Sequence, residues 1–240
     1  MLYGIAYINN TTKIWTCQIE IFVVYLQNEV RILEDIEYYY RHFPVLESER
    51  LILRELTSYD IRDIKKYSAD DRLYTYWGRQ MSYKERDPSE MFRTIRKDKQ
   101  PDCIRWGLEV KSTHEVIGEI NLFNIQNSRM GEIGYRIAYE RQDKGYCSEG
   151  LKRIIKFCFE ETSLQRLELR AMAANKPSNR VAVKCGFTKE GTVRQGKFVH
   201  IYANYNLYGL LRSDLYSDKD VQTEDTVEQE NKESKKMYSY

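Results

Sequence analysis

The sequence has little of the features that mark several specialised classes of protein. Its 240 residues contain only three histidines, and its five cysteines include no CxxC pair. Zinc sites and disulfide frameworks need such spacings, so we expect reduced thiols and no metal. An apolar run at residues 19 to 26 is too short for a membrane span and contains Glu20. Since no signal-peptide pattern precedes it, we expect a cytoplasmic protein without a membrane partner.

An excess of charge of one sign is also missing. The 38 basic and 36 acidic residues leave a formal net charge of only +2. This balance argues against the strongly basic surface that nucleic-acid binding uses, so we expect no direct nucleic-acid partner. A hydrophobic fraction of 42% is enough for a real core, and the length favours one domain with appendages. A small molecule or a short peptide is the expected partner.

Composition divides the chain into three parts. Residues 1 to 42 form an N-terminal extension that keeps neither helix nor strand periodicity for long, so its structure stays open. Residues 217 to 240 are charged and almost free of apolar side chains, which predicts a disordered tail. Residues 43 to 216 between them predict a single α/β domain.

The central part alternates strand-like and helix-like patterns. Period-2 runs predict strands and period-3.6 runs predict helices. The predicted strands are 50 to 56, 104 to 112, 116 to 125, 131 to 139, 166 to 173, 190 to 195 and 200 to 211, and the predicted helices are 58 to 70, 87 to 98, one following Gly145, and 177 to 185. The order of these elements predicts a β-α-β unit around the third helix.

The stretch RQDKGYCSEG, residues 141 to 150, joins a predicted strand to a predicted helix. Backbone N–H groups at a helix start attract phosphate, and Gly145 has no Cβ to keep a pyrophosphate away. Arg141, Lys144 and Lys152 add positive charge nearby. The alternative is that Gly145 only makes a turn. Neither GxxxxGK[ST] nor GxGxxG after a strand occurs, so a different phosphate ligand is indicated.

These residues resemble the GCN5-related N-acetyltransferase (GNAT) superfamily, within it the branch that includes the ribosomal-protein alanine acetyltransferases. Its Q/R-x-x-G-x-G/A signature is matched from Gln142, with Cys147 in the last place. ERLILREL, GEIGYRI, KGYCSEGLKRIIKFCFEE and NKPSNRVAVKCGF follow in the family's order, and the resemblance covers residues 43 to 215. It implies a mixed central sheet of about six to seven strands with flanking helices, whose fourth and fifth strands splay apart.

The resemblance implies acetyl-CoA as co-substrate. Its pyrophosphate would lie on the loop amides, and its pantetheine arm would pair with the edge of the fourth strand. The cofactor-binding residues implied are Gln142, Lys144, Gly145, Tyr146, Cys147 and Ser148 in the loop, Ile133, Gly134, Tyr135, Arg136 and Ile137 on the strand, and Asn175. Cys147 replaces a smaller Gly or Ala, and Gly150 replaces a helix former at a cost of ~1 kcal/mol.

The resemblance also implies an N-acetyltransferase in which a primary amine attacks acetyl-CoA directly in a ternary complex. Glu132 is the expected base, with an exposed strand residue or an ion pair as the alternative. Ser178 would protonate or hydrogen-bond the leaving thiolate, and Asn175 would orient the pantetheine or a water; helix capping is the alternative for both. Trp77 and Tyr76 are expected to line the substrate entrance, with ordinary packing as the alternative.

Two matters stay open at this point. The acceptor is either a protein N-terminal amine or a small-molecule amine, and the near-neutral charge does not choose between them. A second class of function is a non-catalytic acyl-CoA-binding regulatory module, motivated by Cys147 and Gly150. A homodimer is compatible with the family, but the sequence does not determine the oligomeric state.

Overall fold

A computed structural model describes residues 4–8, 11–16, 19–26, 29–77 and 103–216, with side chains from residue 33 onward. The helix predicted at residues 87 to 98 and the tail predicted at 217 to 240 lie outside these ranges. In the part of the chain that the structure describes, none of the helices has both the length and the apolar character that a membrane crossing requires.

The N-terminal segment forms an antiparallel sheet of four strands, where the sequence had left the structure open. The strands are β1 (Gly4–Ile8), β2 (Thr11–Thr16), β3 (Ile19–Leu26) and β4 (Glu29–Leu33), hydrogen-bonded in that order. The apolar run at residues 19 to 26 is therefore the strand β3. Directly after β4, Glu34 bridges to Thr162, so the chain passes from this sheet onto the domain that follows.

Packing against the domain begins before residue 43, where the resemblance starts. Ile36 is completely buried in the main hydrophobic core. The ring of Tyr39 packs edge-on against Phe157, with 4.8 Å between the ring centroids. Residues ahead of the predicted boundary thus contribute to the core of the domain.

The main sheet has eight strands in the order β11-β12-β10-β9-β8-β7-β6-β5. They are β5 (Leu46–Glu47), β6 (Leu51–Glu55), β7 (Ile104–Val110), β8 (Val116–Gln126), β9 (Met130–Ile137), β10 (Arg166–Met172), β11 (Thr188–Phe198) and β12 (Ile201–Leu211). Every neighbouring pair is antiparallel except β9 and β10, which are parallel. The sheet thus has eight strands instead of the expected six to seven. The strand missing from the seven predicted runs is β5, which has two residues and is too short to show a periodicity.

Four α-helices and four 3-10 turns complete the described chain. The helices are α1 (Ile61–Ser68), α2 (Tyr146–Glu161), α3 (Lys176–Lys184) and α4 (Arg212–Leu215), and the 3-10 turns are Ile36–Tyr40, Ser58–Asp60, Asp71–Tyr74 and Tyr139–Arg141. Gly186, with φ at +94°, lies just past the end of α3, in the left-handed conformation that commonly ends a helix. The mixed sheet with flanking helices confirms the expected α/β fold.

The core lies between the sheet and α2, which follows from the apolar stripe of this helix. Leu151, Ile154 and Phe159 on that stripe are buried against the sheet. The packing explains why position 150 is a glycine, because a Cβ on Gly150 would lie 3.2 Å from Leu108 and 3.3 Å from Ile120. The residue that weakens the helix therefore lets it lie close to the sheet.

Candidate active site

β9 and β10 pair over only part of their length. Residues 130–133 pair with residues 166–169. Farther along, β9 stays with β8 as far as the pair Gly118 and Ile137, and β10 stays with β12 as far as Met172 and Tyr205. The sheet is therefore split, and within the described chain no strand pairs with the β10 side of β9 at residues 134–137.

The end of β10 is hydrogen-bonded to the start of α3. The carbonyl oxygen of Met172 accepts hydrogen bonds from the backbone N–H of Asn175 (2.9 Å) and from the side-chain amide of Asn179 (3.0 Å). The amide oxygen of Asn179 accepts in turn from Asn206 (2.6 Å) and from the Tyr208 hydroxyl (2.7 Å). One side chain thus links the start of α3, the end of β10 and β12.

The loop before α2 has the geometry that an anion needs. Gly145 is the N-cap of α2 and adopts φ +82°, a left-handed conformation that favours glycine. The amides of the following turn have no partner inside the helix, and the positive end of the helix dipole lies there. Gln142 donates its side-chain amide to the carbonyl of Ile137 (3.1 Å), which fixes the loop to the end of β9. The loop residues therefore fit a pyrophosphate next to the split.

Sequence reasoning missed the residues that hold this loop from the other side. Glu149 accepts hydrogen bonds from the Arg50 backbone (2.7 Å), the Arg50 guanidinium (2.6 Å) and the Ser48 hydroxyl (2.7 Å). The same guanidinium donates to the carbonyl of Lys144 (3.1 Å) and lies 4.4 Å from the ring centroid of Tyr146. Arg50 and Glu149 are 99 residues apart, so no local pattern connects them.

Cys147, at the family's small-residue position, is not poised for nucleophilic chemistry. Desolvation raises the pKa of its thiol far above the ordinary range, and nearby Cys185 raises it further. A thiol must ionise to act as a nucleophile, and this one stays protonated. Arg141, expected to add positive charge near the loop, forms an ion pair with Glu115.

Side chains alternate along β9, so Glu132 and Arg136 share the face that lies towards α1. Both oxygens of Glu132 are bonded by the guanidinium of Arg170 (2.8 Å each), and Asn124 donates to the same carboxylate (3.0 Å). The structure thus shows the ion pair that was the alternative for Glu132. A carboxylate offers about four lone pairs, so one acceptor position is left for an amine or a water.

Arg136 forms a second ion pair on this face. Its guanidinium donates to Glu119 (3.1 Å), which is 1% exposed and also accepts from Arg105 (3.2 Å). Burial raises the pKa of Glu119, but the two guanidinium groups outweigh burial, so the pKa lies below its ordinary value. Trp77 lies 5.3 Å from the Arg136 guanidinium, measured to the ring centroid. Of the two expected substrate residues, Trp77 therefore lies next to the Arg136 side chain, while Tyr76 is exposed.

The opposite face of β9 carries Ile133, Tyr135 and Ile137. The Tyr135 hydroxyl lies 2.9 Å from the Ser178 hydroxyl and 3.1 Å from the Ser178 carbonyl oxygen. The side chain of Asn175 accepts a hydrogen bond from the Ser178 backbone N–H (3.2 Å), so Asn175 caps α3. Glu132, the second-last paired residue before the open edge, thus lies on one face of β9, and Ser178 lies against the other.

Over the described residues, no group of three or more His, Cys, Asp or Glu side chains could hold a metal ion. His114 instead lies 2.9 Å from a carboxylate oxygen of Glu109, and His42 stacks on Tyr38 with 4.0 Å between ring centroids.

The split, the glycine loop and the order of the strands agree with a comparison against known families. Residues 50–188 match the Acetyltransferase (GNAT) domain family, which is more than half of the chain. The chain belongs to this family. As a GNAT N-acetyltransferase it falls in an enzyme class that transfers acetyl groups from acetyl-CoA to amines.

Two curated relatives show the branch of the GNAT family. The uncharacterized N-acetyltransferase YoaA of Bacillus subtilis is 34% identical over 168 residues, which cover 69% of this chain and 93% of YoaA. The ribosomal-protein-serine acetyltransferase of Escherichia coli is 32% identical over 96 residues, which cover 39% of this chain and 54% of that protein. The relatives of this GNAT chain thus include ribosomal-protein acetyltransferases.

Solved structures show the same fold. A GNAT-family acetyltransferase from Bacillus anthracis aligns with a TM-score of 0.63 and 22% identity, covering 71% of this chain and 99% of that one. The spermidine N-acetyltransferase of Vibrio cholerae, in complex with CoA and spermine, aligns with a TM-score of 0.57 and 24% identity, covering 69% and 97%. At these identities the likeness establishes the GNAT fold.

Proposed function

We propose that this GNAT chain transfers the acetyl group of acetyl-CoA to a primary amine by direct attack in a ternary complex. The observation that carries the proposal is the split between β9 and β10, which leaves an open backbone edge at residues 134–137. Glu132 lies just before this edge on one face of β9, and Ser178 contacts the other face through Tyr135. An acyl group held in this split is accessible to a base from one face and to a hydroxyl from the other.

The chain offers two connected places for acetyl-CoA. The first-turn amides of α2 after Gly145 receive the pyrophosphate. The open edge of β9 at residues 134–137 receives the pantetheine arm as an added strand, in the way extended ligands join exposed sheet edges. Because Gln142 bonds to the carbonyl of Ile137, the two places are held together.

The reaction needs a neutral amine, whereas a lysine-like amine has a pKa of about 10 and an α-amino group a pKa of about 8. Glu132 accepts the proton, directly or through a water, at the lone pair that Arg170 and Asn124 leave free. The amine nitrogen bonds to the acyl carbon, the C–S bond breaks, and its electron pair stays on sulfur. A backbone N–H of the open edge stabilises the oxyanion, and the Ser178 hydroxyl donates a hydrogen bond to the thiolate.

The proposal leaves two classes of acceptor. A protein N-terminal amine is supported by the ribosomal-protein relatives of the chain, and a small polyamine is supported by the fold it shares with a spermidine acetyltransferase. Trp77 beside Arg136 forms part of the acceptor side in either case. Both classes share the primary amine.

Calorimetric titration with acetyl-CoA tests the binding part. We expect binding by the wild type and ~10-fold weaker binding by Gly145→Ala, because a left-handed backbone costs a non-glycine residue about 1–2 kcal/mol. Gly191→Ala is the matched control, since a Cβ on Gly191 meets no atom within 4 Å. Absence of acetyl-CoA binding by the wild type would refute the assignment of the loop.

A panel of amines and short peptides tests the transfer part. Free CoA thiol is followed after each acceptor is added to the acetyl-CoA complex. We expect thiol release that depends on the amine, and the best acceptor in the panel decides between the two classes. Tight acetyl-CoA binding without release by any amine would instead support a non-catalytic acyl-CoA-binding module.

A further inference from the structure

Tyr135 contacts the proposed acid through its side chain, in addition to the backbone edge it offers to pantetheine. It lies among residues 134–137 of β9, which do not pair with β10 and are called the open half here. Its hydroxyl is 2.9 Å from the Ser178 hydroxyl and 3.1 Å from the Ser178 carbonyl oxygen. Ser178 is the third residue of α3, 43 residues away in sequence. The pair therefore joins β9 to α3, the helix that follows β10.

Counting hydrogens decides what this pair can do. Each hydroxyl has one proton to donate. If Tyr135 donates to the carbonyl oxygen of Ser178, then the short contact between the hydroxyls needs the proton of Ser178, and none is left for a leaving group. If Tyr135 donates to the Ser178 hydroxyl oxygen, the serine proton is free to point elsewhere. A helix carbonyl already accepts from the amide four residues later, so it does not need the phenol.

We propose that Tyr135 is a positioning residue that donates to the Ser178 hydroxyl and so directs the serine proton towards the sulfur of acetyl-CoA. This inference rests on the proposed acetyl transfer and adds the residue that orients its acid side. Tyr135 does not give up its proton. The thiolate leaves with the electron pair of the C–S bond, is stabilised by the Ser178 hydrogen bond, and takes a proton from water after release.

The surroundings of Tyr135 agree with a fixed donor. Burial raises the pKa of the phenol well above its ordinary value, and Cys147 raises it further. The phenol is therefore protonated at any pH at which the enzyme would work. Asn175 holds the backbone of Ser178 by capping α3, so the serine hydroxyl has a fixed place in which to be oriented.

Tyr135→Phe tests the role, with Tyr208→Phe as a matched control. Tyr208 is a buried tyrosine that also bonds to α3, but its hydroxyl donates to Asn179 rather than to Ser178. We expect Tyr135→Phe to lower kcat ~10-fold with the Kd for acetyl-CoA unchanged, because the lost interaction acts on the leaving group. Tyr208→Phe should keep kcat within about twofold of the wild type, since its hydroxyl lies outside that interaction.

A double-mutant cycle separates positioning from a structural effect. If Tyr135 acts through Ser178, Tyr135→Phe has no further effect on kcat once Ser178→Ala is present. A thermal unfolding curve for each variant confirms that the compared proteins are folded. Ser178→Thr, which keeps a hydroxyl, should regain sensitivity to Tyr135→Phe.

The outcomes are distinct. A wild type that binds acetyl-CoA but acetylates nothing in the panel overturns the proposed function, and this inference with it. An active wild type with equal kcat for Tyr135→Phe and Tyr208→Phe overturns only the role of Tyr135. If Tyr135→Phe lowers kcat by the same factor with and without Ser178→Ala, the two residues act independently, and the role of Tyr135 is also overturned.

Discussion

The closed and open halves of the β9–β10 pair are stabilised in different ways. In the closed half, the strands pair directly and the buried side chains of Ile133, Leu167 and Leu169 pack in the core. In the open half, each polar side chain of β9 bonds to a third element: Arg136 to β8 and Tyr135 to α3. Where β9 and β10 no longer pair with each other, each strand is therefore stabilised by bonds to other elements, so the split is part of the folded structure.

The largest expected effect comes from Glu119→Gln, beside the open half. The change leaves the Arg136 guanidinium buried without its carboxylate, and breaking one side of a buried ion pair costs about 3–5 kcal/mol. We expect a loss of that size in the free energy of unfolding measured with urea. Glu190→Gln is the control, because its pair with Arg166 is exposed and is worth about 0–1 kcal/mol. Equal losses for the two variants would show that the buried pair does not stabilise the open half.

The Glu119 carboxylate also makes the free energy of unfolding depend on pH. The pKa of Glu119 is lowered in the fold, so its ion pair stabilises the protein above the ordinary carboxyl pKa and loses that effect as pH falls through the lowered one. Urea unfolding repeated from pH 7 downward should therefore show a smaller acid-induced loss in Glu119→Gln than in the wild type. Identical slopes would contradict this assignment.

Leu167→Ala tests the closed half. Leu167 is completely buried, and removing a buried leucine side chain costs about 2–5 kcal/mol of unfolding free energy. We expect the Kd for acetyl-CoA and kcat of the folded variant to stay near wild type, because the ligand edge lies beyond the paired residues. A large change in kcat at a temperature where the variant is folded would show that the two halves are coupled.

Glu132→Gln has the smallest expected effect on stability and a defined effect on rate. The amide cannot take the amine proton, and general-base catalysis contributes at least ~10²-fold, so kcat should fall by about that factor. Glu168→Gln is the matched control, because Glu168 lies opposite Glu132 in the register and pairs with Arg166. Unchanged kcat in Glu132→Gln would leave the carboxylate only its ion pair with Arg170.

The sequence was informative where a feature depends on near neighbours. The helix that follows Gly145 and the helix predicted at 177 to 185 are both set by residues within a few positions. It was uninformative where the partner is distant. The contacts of Arg50 with Glu149 and of Tyr135 with Ser178 depend on which strands and helices meet. The ion pair of Glu132 with Arg170 likewise joins residues that are 38 positions apart.

Gly150 sets how closely the start of α2 approaches the sheet. α2 is a stiff rod, and Gly145 at its tip lies little more than one turn from the place where the helix rests on Leu108 and Ile120. A methyl group at position 150 would push this end of α2 away from the sheet by a few tenths of an ångström. Because Gly150 has no Cβ, α2 lies closer to the sheet, and this helps to set the distance between the loop and the split. A ligand that binds to both must span that distance.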